Sequence, residues 1–477
     1  MANNKKLSRQ ARLSRMALTT ALASILIGTP GLALAQNMNV DYEFISLNES
    51  GVLSFIDGFR DADNDVNALA AEGPDTDRYP DYDEYNDMNV DITFSGNIDL
   101  SGGSSGESAL VFNGNNGKER DDPEYLERGF NKFTIKGGDG NSRSTLNGGV
   151  ANSSSTTSSG TLLYISGVKD SISISNTNFI NSKATSVEQE VNSSYGGAGI
   201  IINPNYLDSS GVSWHDVTLT NVTLRNNNSE GKDRQSSVGG GLTILNSASQ
   251  LNDTVNLNNV DVIGNSLKTG TFGSAAASNF LTYARGGGVA IDQVANVDII
   301  NGTYQGNSIL LYSGSSAAGG GLSIESYGKA QNTEINLNGA GFINNKVEMI
   351  GTNSSSTFAG GGGFSGEARG AHGNTSPTYS TTVDFKNSLF QGNKVRLENS
   401  SGYSANAYGG GAAMFGNLNA TFEKTSFVNN SVTVTGYGNA YGGAVYTERG
   451  VTISGGVLSG NSATAGAGGA YGGAVYT

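Results

Sequence analysis

The sequence contains no cysteine, one tryptophan, two histidines and six prolines in 477 residues. Without a thiol there is no disulfide, no thiolate nucleophile and no cysteine-held zinc or iron–sulfur centre. The histidines, His215 and His372, lie 157 residues apart, and neither has metal-ligand spacing around it. His215 beside Trp214 reads as a surface-loop pair rather than a general base. Basic residues are also short: 28 Lys and Arg stand against 42 Asp and Glu, a net charge of −14. Such a chain does not favour nucleic acid or anionic lipid. No stretch after residue 35 is long and apolar enough to span a bilayer as a helix, and helical periodicity is missing throughout. No residue set calls for a cofactor or a metal.

The first fifteen residues carry Lys5, Lys6, Arg9, Arg12 and Arg15 and no acid. Met16 to Ala35 is apolar and small, broken by Gly28, Pro30 and Gly31, and ends Ala33-Leu34-Ala35. Residues 1–35 therefore read as a secretory signal peptide, which predicts export. Its removal leaves 23 basic against 42 acidic residues, net −19. Residues 36–89 read as an acidic, solvated segment or cap, since Asp41 to Asp91 holds 15 acids against Arg60 and Arg78. The DADND run at Asp61 to Asp65 is similar to a calcium loop but lacks the Gly and Glu of an EF-hand.

What the chain has in quantity is glycine, 69 residues, placed in a repeat. YGGAVYT stands at Tyr441 to Thr447 and again at Tyr471 to Thr477. Weaker copies begin at Tyr195, Val238, Arg285, Ala318, Gly360 and Tyr408. Between them an apolar residue is followed three places later by Asn: Leu224/Asn227, Val262/Asn265, Tyr304/Asn307, Phe342/Asn345, Phe390/Asn393, Phe427/Asn430 and Leu458/Asn461. Phe179 opens an earlier copy with Ser182 in the Asn place. Such alternation is the mark of stacked repeats. After each glycine run the first and third residues are apolar, as in Leu242 and Ile244, Val289 and Ile291, or Leu322 and Ile324. These should face inward and the second and fourth outward.

The predicted fold is all-β, a right-handed single-stranded parallel β-helix over 90–477. Glycine is expected at corners that need positive φ. Asn is expected both to take the left-handed conformation and to pair its amide with the next coil. The repeats average about 39 residues, which reads as two coils of about 20 each, on the order of 17–19 coils and a rod roughly 80–90 Å long. Long spacings place extra loops near Pro204 to Trp214, Lys268 to Tyr283 and Ala368 to Tyr379. Their Tyr206, Trp214, Phe280, Tyr283, His372 and Tyr379 are candidate ligand contacts.

One carboxylate set follows from parity. Asp292, Glu325 and Glu367 each fall four residues after the last Gly of a run. Two coils per repeat would space them about 10 Å apart on an outer face. Glycoside hydrolases work with paired carboxylates about 6.5–9.5 Å apart when they invert. No Arg or Lys recurs beside this column, so an acidic, solubilising stripe is the expectation and catalysis is not.

The alternation of GGA[IV] and F-x-x-N behind a signal peptide resembles the chlamydial polymorphic outer-membrane proteins, and more broadly type V autotransporter passenger domains. The residues are Gly442-Gly443-Ala444-Val445, Gly472-Gly473-Ala474-Val475 and the copies opening at Phe342, Phe390 and Phe427. The resemblance covers about Val90 to Thr477. It implies a β-helix shown at the outer-membrane surface or released, acting as an adhesin or structural surface protein. Its partner would be a ligand on a host or neighbouring cell, glycan or protein. It also implies an outer-membrane translocator barrel. The sequence stops inside a repeat, so a longer protein carrying that barrel is expected. The alternative function is a polysaccharide-active β-helix enzyme, a lyase or glycoside hydrolase, using the outward carboxylates.

Overall fold

In the computed structural model the chain is a parallel β-helix with no helix among the described residues. The structure describes the strands from Met38 onward with most of their turns, and 405–477 throughout. It does not describe 1–37, 57–87, 114–129, 204–211, 271–282 or 371–380, nor several shorter turns and loops. The signal peptide and the DADND run lie outside the described residues.

From Val168 onward each coil is built from five short strands. In one, Asn296–Ile300, Thr303–Gln305, Ser308–Tyr312, Ser316–Ala318 and Leu322–Gly328 follow one another. Each strand pairs in parallel with its counterparts in neighbouring coils, which generates five long sheets, called first to fifth in that order. Successive Asn marks are 38, 42, 38, 48, 37 and 31 residues apart, and each step is one coil. The expectation of two coils per repeat is therefore wrong. The glycine run and the Asn mark are two corners of the same coil, and five strands with their turns consume the whole repeat. The first sheet holds 11 strands, so the rod is roughly 45–50 Å long at about 4.8 Å per rung. Strands before Val90 also join it: Leu53–Ile56 pairs in parallel with Leu110–Asn113.

The described residues form two long apolar cores, one from Phe133 to Val445 and a second from Leu267 to Ala440. The larger lies between the first, second and fifth sheets and holds Val289, Ile291, Leu322, Ile324, Phe342, Phe390 and Phe427, all essentially inaccessible. Inward parity at the first and third positions is as read from the sequence. The smaller core lies between the third and fourth sheets. There Leu267, Ile309, Val347, Val395 and Val432 meet a line of alanines, Ala284, Ala317, Ala359, Ala407 and Ala440. A methyl at that place lets the fourth sheet lie close on the third.

The corner between the fourth and fifth sheets needs glycine for two reasons. Gly409 has a φ of 52°, a left-handed value that L side chains rarely adopt. At Gly410 a Cβ would stand 2.3 Å from the carbonyl oxygen of Gly443 in the next coil. The Asn mark works differently from expectation. Asn227, Asn265, Asn307, Asn345, Asn393, Asn430 and Asn461 do pair amide to amide between coils. The left-handed residue is the one before each, Asn226, Gly264, Gly306, Asn344, Gly392, Asn429 and Gly460.

The two ends differ. At one, the first and fifth sheets finish on antiparallel strands, Met38–Val40 and Ile45–Leu47. At the other, the strands of the last coil each form the edge of their sheet, and Val457, Leu458 and Tyr471 are 55%, 39% and 44% exposed. In a chain ending at Thr477, amides from about Tyr441 onward should exchange fast with solvent while the middle coils stay protected. Uniform protection through Thr477 in hydrogen–deuterium exchange would contradict the open edge.

Candidate functional site

The corner where the fourth sheet meets the fifth is re-entrant. The last residue of a fourth-sheet strand lies over the second and fourth residues of a fifth-sheet strand. Thr243 Oγ1 donates to the Val238 carbonyl oxygen at 2.9 Å, and a methyl on Gly360 would meet the Phe415 ring at 2.9 Å. The second-position residues expected to face water are for this reason covered: Thr243, Ala290 and Ser323 are buried. Glycine opens this fold line in each coil from Gly239 to Gly472, so the corner runs straight along that part of the rod.

The fourth-position column reads Leu245, Asp292, Glu325, Glu367 and Phe415 in consecutive rungs. The three carboxylates thus occupy adjacent rungs, about 4.8 Å apart rather than 10 Å. They are not a solubilising stripe either, since Glu325 is 1% exposed. The sequence reading found no base beside them, but the fold supplies Arg285 from the fourth sheet. Arg285 forms an ion pair with Glu325, and its Nη2 stands 3.7 Å from Glu367 Oε2. Its guanidinium lies 4.7 Å from the centre of the Tyr283 ring. Buried charge survives only when paired, and one guanidinium answers to three carboxylates here.

Asp292 bears the excess. Its Oδ1 is buried with no hydrogen-bond partner. Burial, with the nearby Glu367 charge adding to it, pushes its carboxyl above the usual aspartate range, while Arg285 opposes the rise. Asp292 thus holds its proton more tightly folded than unfolded. Stability must fall as pH rises from the ordinary aspartate range through the raised value. Asp292→Asn should be more stable than the parent at neutral pH and equal to it below the ordinary aspartate range. Urea midpoints measured from acid to neutral pH test this. A parent-like pH profile in the variant would show that another group titrates. Among the described residues no three His, Cys, Asp or Glu side chains are arranged to hold a metal ion.

Toward Thr477 the same corner turns aromatic. Tyr408, Tyr441 and Tyr471 stack in one column at 5.2 and 5.0 Å between ring centres, with planes 10° and 12° apart. Tyr446 and Tyr476 form a second column at 5.9 Å. The columns interlock, with Tyr408 to Tyr446 at 4.4 Å and Tyr441 to Tyr476 at 4.9 Å. Phe358 and Phe415 lead into them, 5.3 Å apart. Phe358, Tyr408, Tyr441 and Tyr476 are half-buried and Tyr471 is exposed. Burial pushes the phenols of Tyr408, Tyr441 and Tyr446 upward, so they stay protonated at neutral pH. The neighbouring amides of Asn406 and Asn439 act in the opposite sense.

Of the six loop residues proposed as contacts, Tyr283 sits at the charged end of this corner. Tyr206, Trp214, Phe280, His372 and Tyr379 lie outside the described residues, as does His215. The aromatic corner and Arg285 were missed, although the sequence carried a signal. YGGAVYT repeated one coil apart puts tyrosine on tyrosine at both its first and sixth places. No family model, no curated protein and no solved structure matches the chain.

Proposed function

We propose that this chain is an exported, surface-displayed β-helix that binds a partner through its aromatic corner and carries out no catalysis. The observation that supports this is the pair of in-register columns, Tyr408, Tyr441 and Tyr471 beside Tyr446 and Tyr476, where most of the rings stay partly exposed over three coils. Aromatic side chains that pack on a small buried cluster, here Ala413, Phe415 and Tyr446, and still leave part of each ring exposed are what binding surfaces are made of. The signal-peptide pattern and the resemblance to autotransporter passengers supply export and display. The expected partner is a ligand on another cell, and the translocator barrel belongs to the same proposal. The test is adhesion of the purified chain to cultured epithelial cells and immobilised matrix, with Tyr408→Ser and Tyr441→Ser against the parent. Retained adhesion in both variants, with the fold intact, would sink the reading.

A second reading, a polysaccharide-active enzyme, draws support from Arg285 standing among Asp292, Glu325 and Glu367. Against it, Arg285 and Glu325 side chains are only 9% and 1% exposed and are spent on each other. Release of reducing sugar or unsaturated uronate from a glycan panel, abolished by Glu325→Gln, would favour this enzyme reading over ours.

A further inference from the structure

We infer that the aromatic corner takes a proline-rich, basic peptide in the polyproline II conformation. This rests on the binding role proposed above and names the partner class for the same surface. Three features lead to it.

The first is which part of each ring is left. Tyr408, Tyr441 and Tyr471 lie face to face, as do Tyr446 and Tyr476, so each column uses its ring faces internally. A sugar ring that recognises an aromatic lies on its face, and the faces within each stack are covered by the neighbouring ring. What remains along the rod is a row of ring edges and phenol groups. A pyrrolidine ring packs against such ridges, which is how proline-rich segments dock on aromatic-lined surfaces.

The second is spacing. The two steps from Tyr408 through Tyr441 to Tyr471 measure 5.2 and 5.0 Å. A polyproline II helix advances about 9.3 Å in one three-residue turn. Every third peptide residue therefore meets every second tyrosine of the column, with a mismatch of about 1 Å per turn. A fully extended β-strand advances about 6.6–6.8 Å per two residues and drifts out of phase at the first step.

The third is hydrogen bonding and charge. The carbonyls of polyproline II have no internal partner and point outward. Burial keeps the phenols of Tyr408 and Tyr441 protonated, so their O–H groups can donate. Glu448 is exposed beside Tyr446, with Oε1 3.5 Å from the phenol oxygen, and Glu367 pairs with Phe415 at the other end of the run. The chain as a whole is at −14. Basic residues in the peptide answer that charge.

The experiment is fluorescence anisotropy with the full chain and a labelled peptide of repeated Arg-Pro-Pro units. A repeated Arg-Gly-Ser peptide of equal length and charge is the control. Saturable binding of the first, with the control at least about tenfold weaker, is expected. Tyr441→Ser should weaken it by about tenfold or more, and Tyr441→Phe, which keeps the stack and loses the hydroxyl, by a smaller factor. Tyr437→Ser, at a tyrosine 58% exposed away from the corner, should leave it unchanged. Equal affinity for both peptides, or no saturable binding, overturns the inference. So does a Tyr441-dependent affinity for a neutral oligosaccharide without peptide binding, which would leave the binding role itself standing. Circular dichroism of each variant separates a lost contact from a lost fold.

Discussion

Asn345→Ala should destabilise the protein by about 3–5 kcal/mol, far more than its small side chain would indicate. Asn345 is fully buried and makes every bond an amide offers. Its Nδ2 donates to the Tyr304 carbonyl oxygen at 2.8 Å and to Asn393 Oδ1 at 3.0 Å. Its Oδ1 accepts from the backbone N–H and the Nδ2 of Asn307, both at 3.0 Å. Alanine would leave the Asn307 N–H and one Asn307 amide proton unanswered in a dry core, and the Tyr304 carbonyl would keep only its sheet bond. Each such group costs about 1–3 kcal/mol. Asn345→Asp should be worse, because a carboxylate would face the Tyr304 and Asn393 oxygens it now donates to. Serine is tolerated in this column at one place, Ser182, which begins it. Its Oγ donates to Asn227 Oδ1 at 2.8 Å, and no earlier ladder amide asks it for an acceptor. Urea denaturation of Asn345→Ala and Asn345→Asp measures the effect. A loss under about 1 kcal/mol would mean that the ladder is an accompaniment to the stacked strands and not a support.

That ladder was visible in the sequence because it recurs at one spacing from an apolar mark. So were the buried first and third positions after each glycine run, since strand parity is a local rule. What parity cannot give is how many strands close a coil. Gly-Gly-Gly and Asn both signal a corner, and nothing local says whether two corners belong to one coil or to two. The 10 Å carboxylate spacing inherited that ambiguity, and the register of Asp292, Glu325 and Glu367 in adjacent rungs removed it. The outward face was legible as a direction and not as an exposure. Ala290 and Ser323 do point away from the main core, but the fourth sheet folds back over them. Arg285 escaped notice for the same reason. It lies seven residues before Asp292, on a different sheet, and reaches the carboxylates only because the glycine corner turns the chain back. The tyrosine columns needed only the realisation that identical places in adjacent coils stack.

Phe390→Ala should cost about 3–5 kcal/mol and should weaken the rod at one point rather than throughout. Phe390 stands in the middle of a ring column, 4.7 Å from Phe342 on one side and 4.7 Å from Phe427 on the other, with planes 10° apart. Phe385 meets it edge-on at 5.3 Å and Phe422 at 6.4 Å. Its own surface is fully buried. Removing the ring takes away its transfer free energy and leaves a cavity that the strands cannot close, because their spacing is fixed by the hydrogen-bonded sheets on both sides. Phe390→Leu should cost much less, since it keeps most of the volume and loses chiefly the ring–ring contacts. In a stacked repeat each coil contacts only its neighbours, so a void at one rung lowers the coupling between the coils before and after it. In a chain ending at Thr477, denaturation of the Ala variant should then split into two steps, with the coils after Phe390 melting first because they also contain the open edge. Hydrogen exchange should show the same division, with protection lost from Phe390 toward Thr477 and kept toward Ile135. A single cooperative transition, shifted but unsplit, would show that the long sheets couple the coils more strongly than the core between them does.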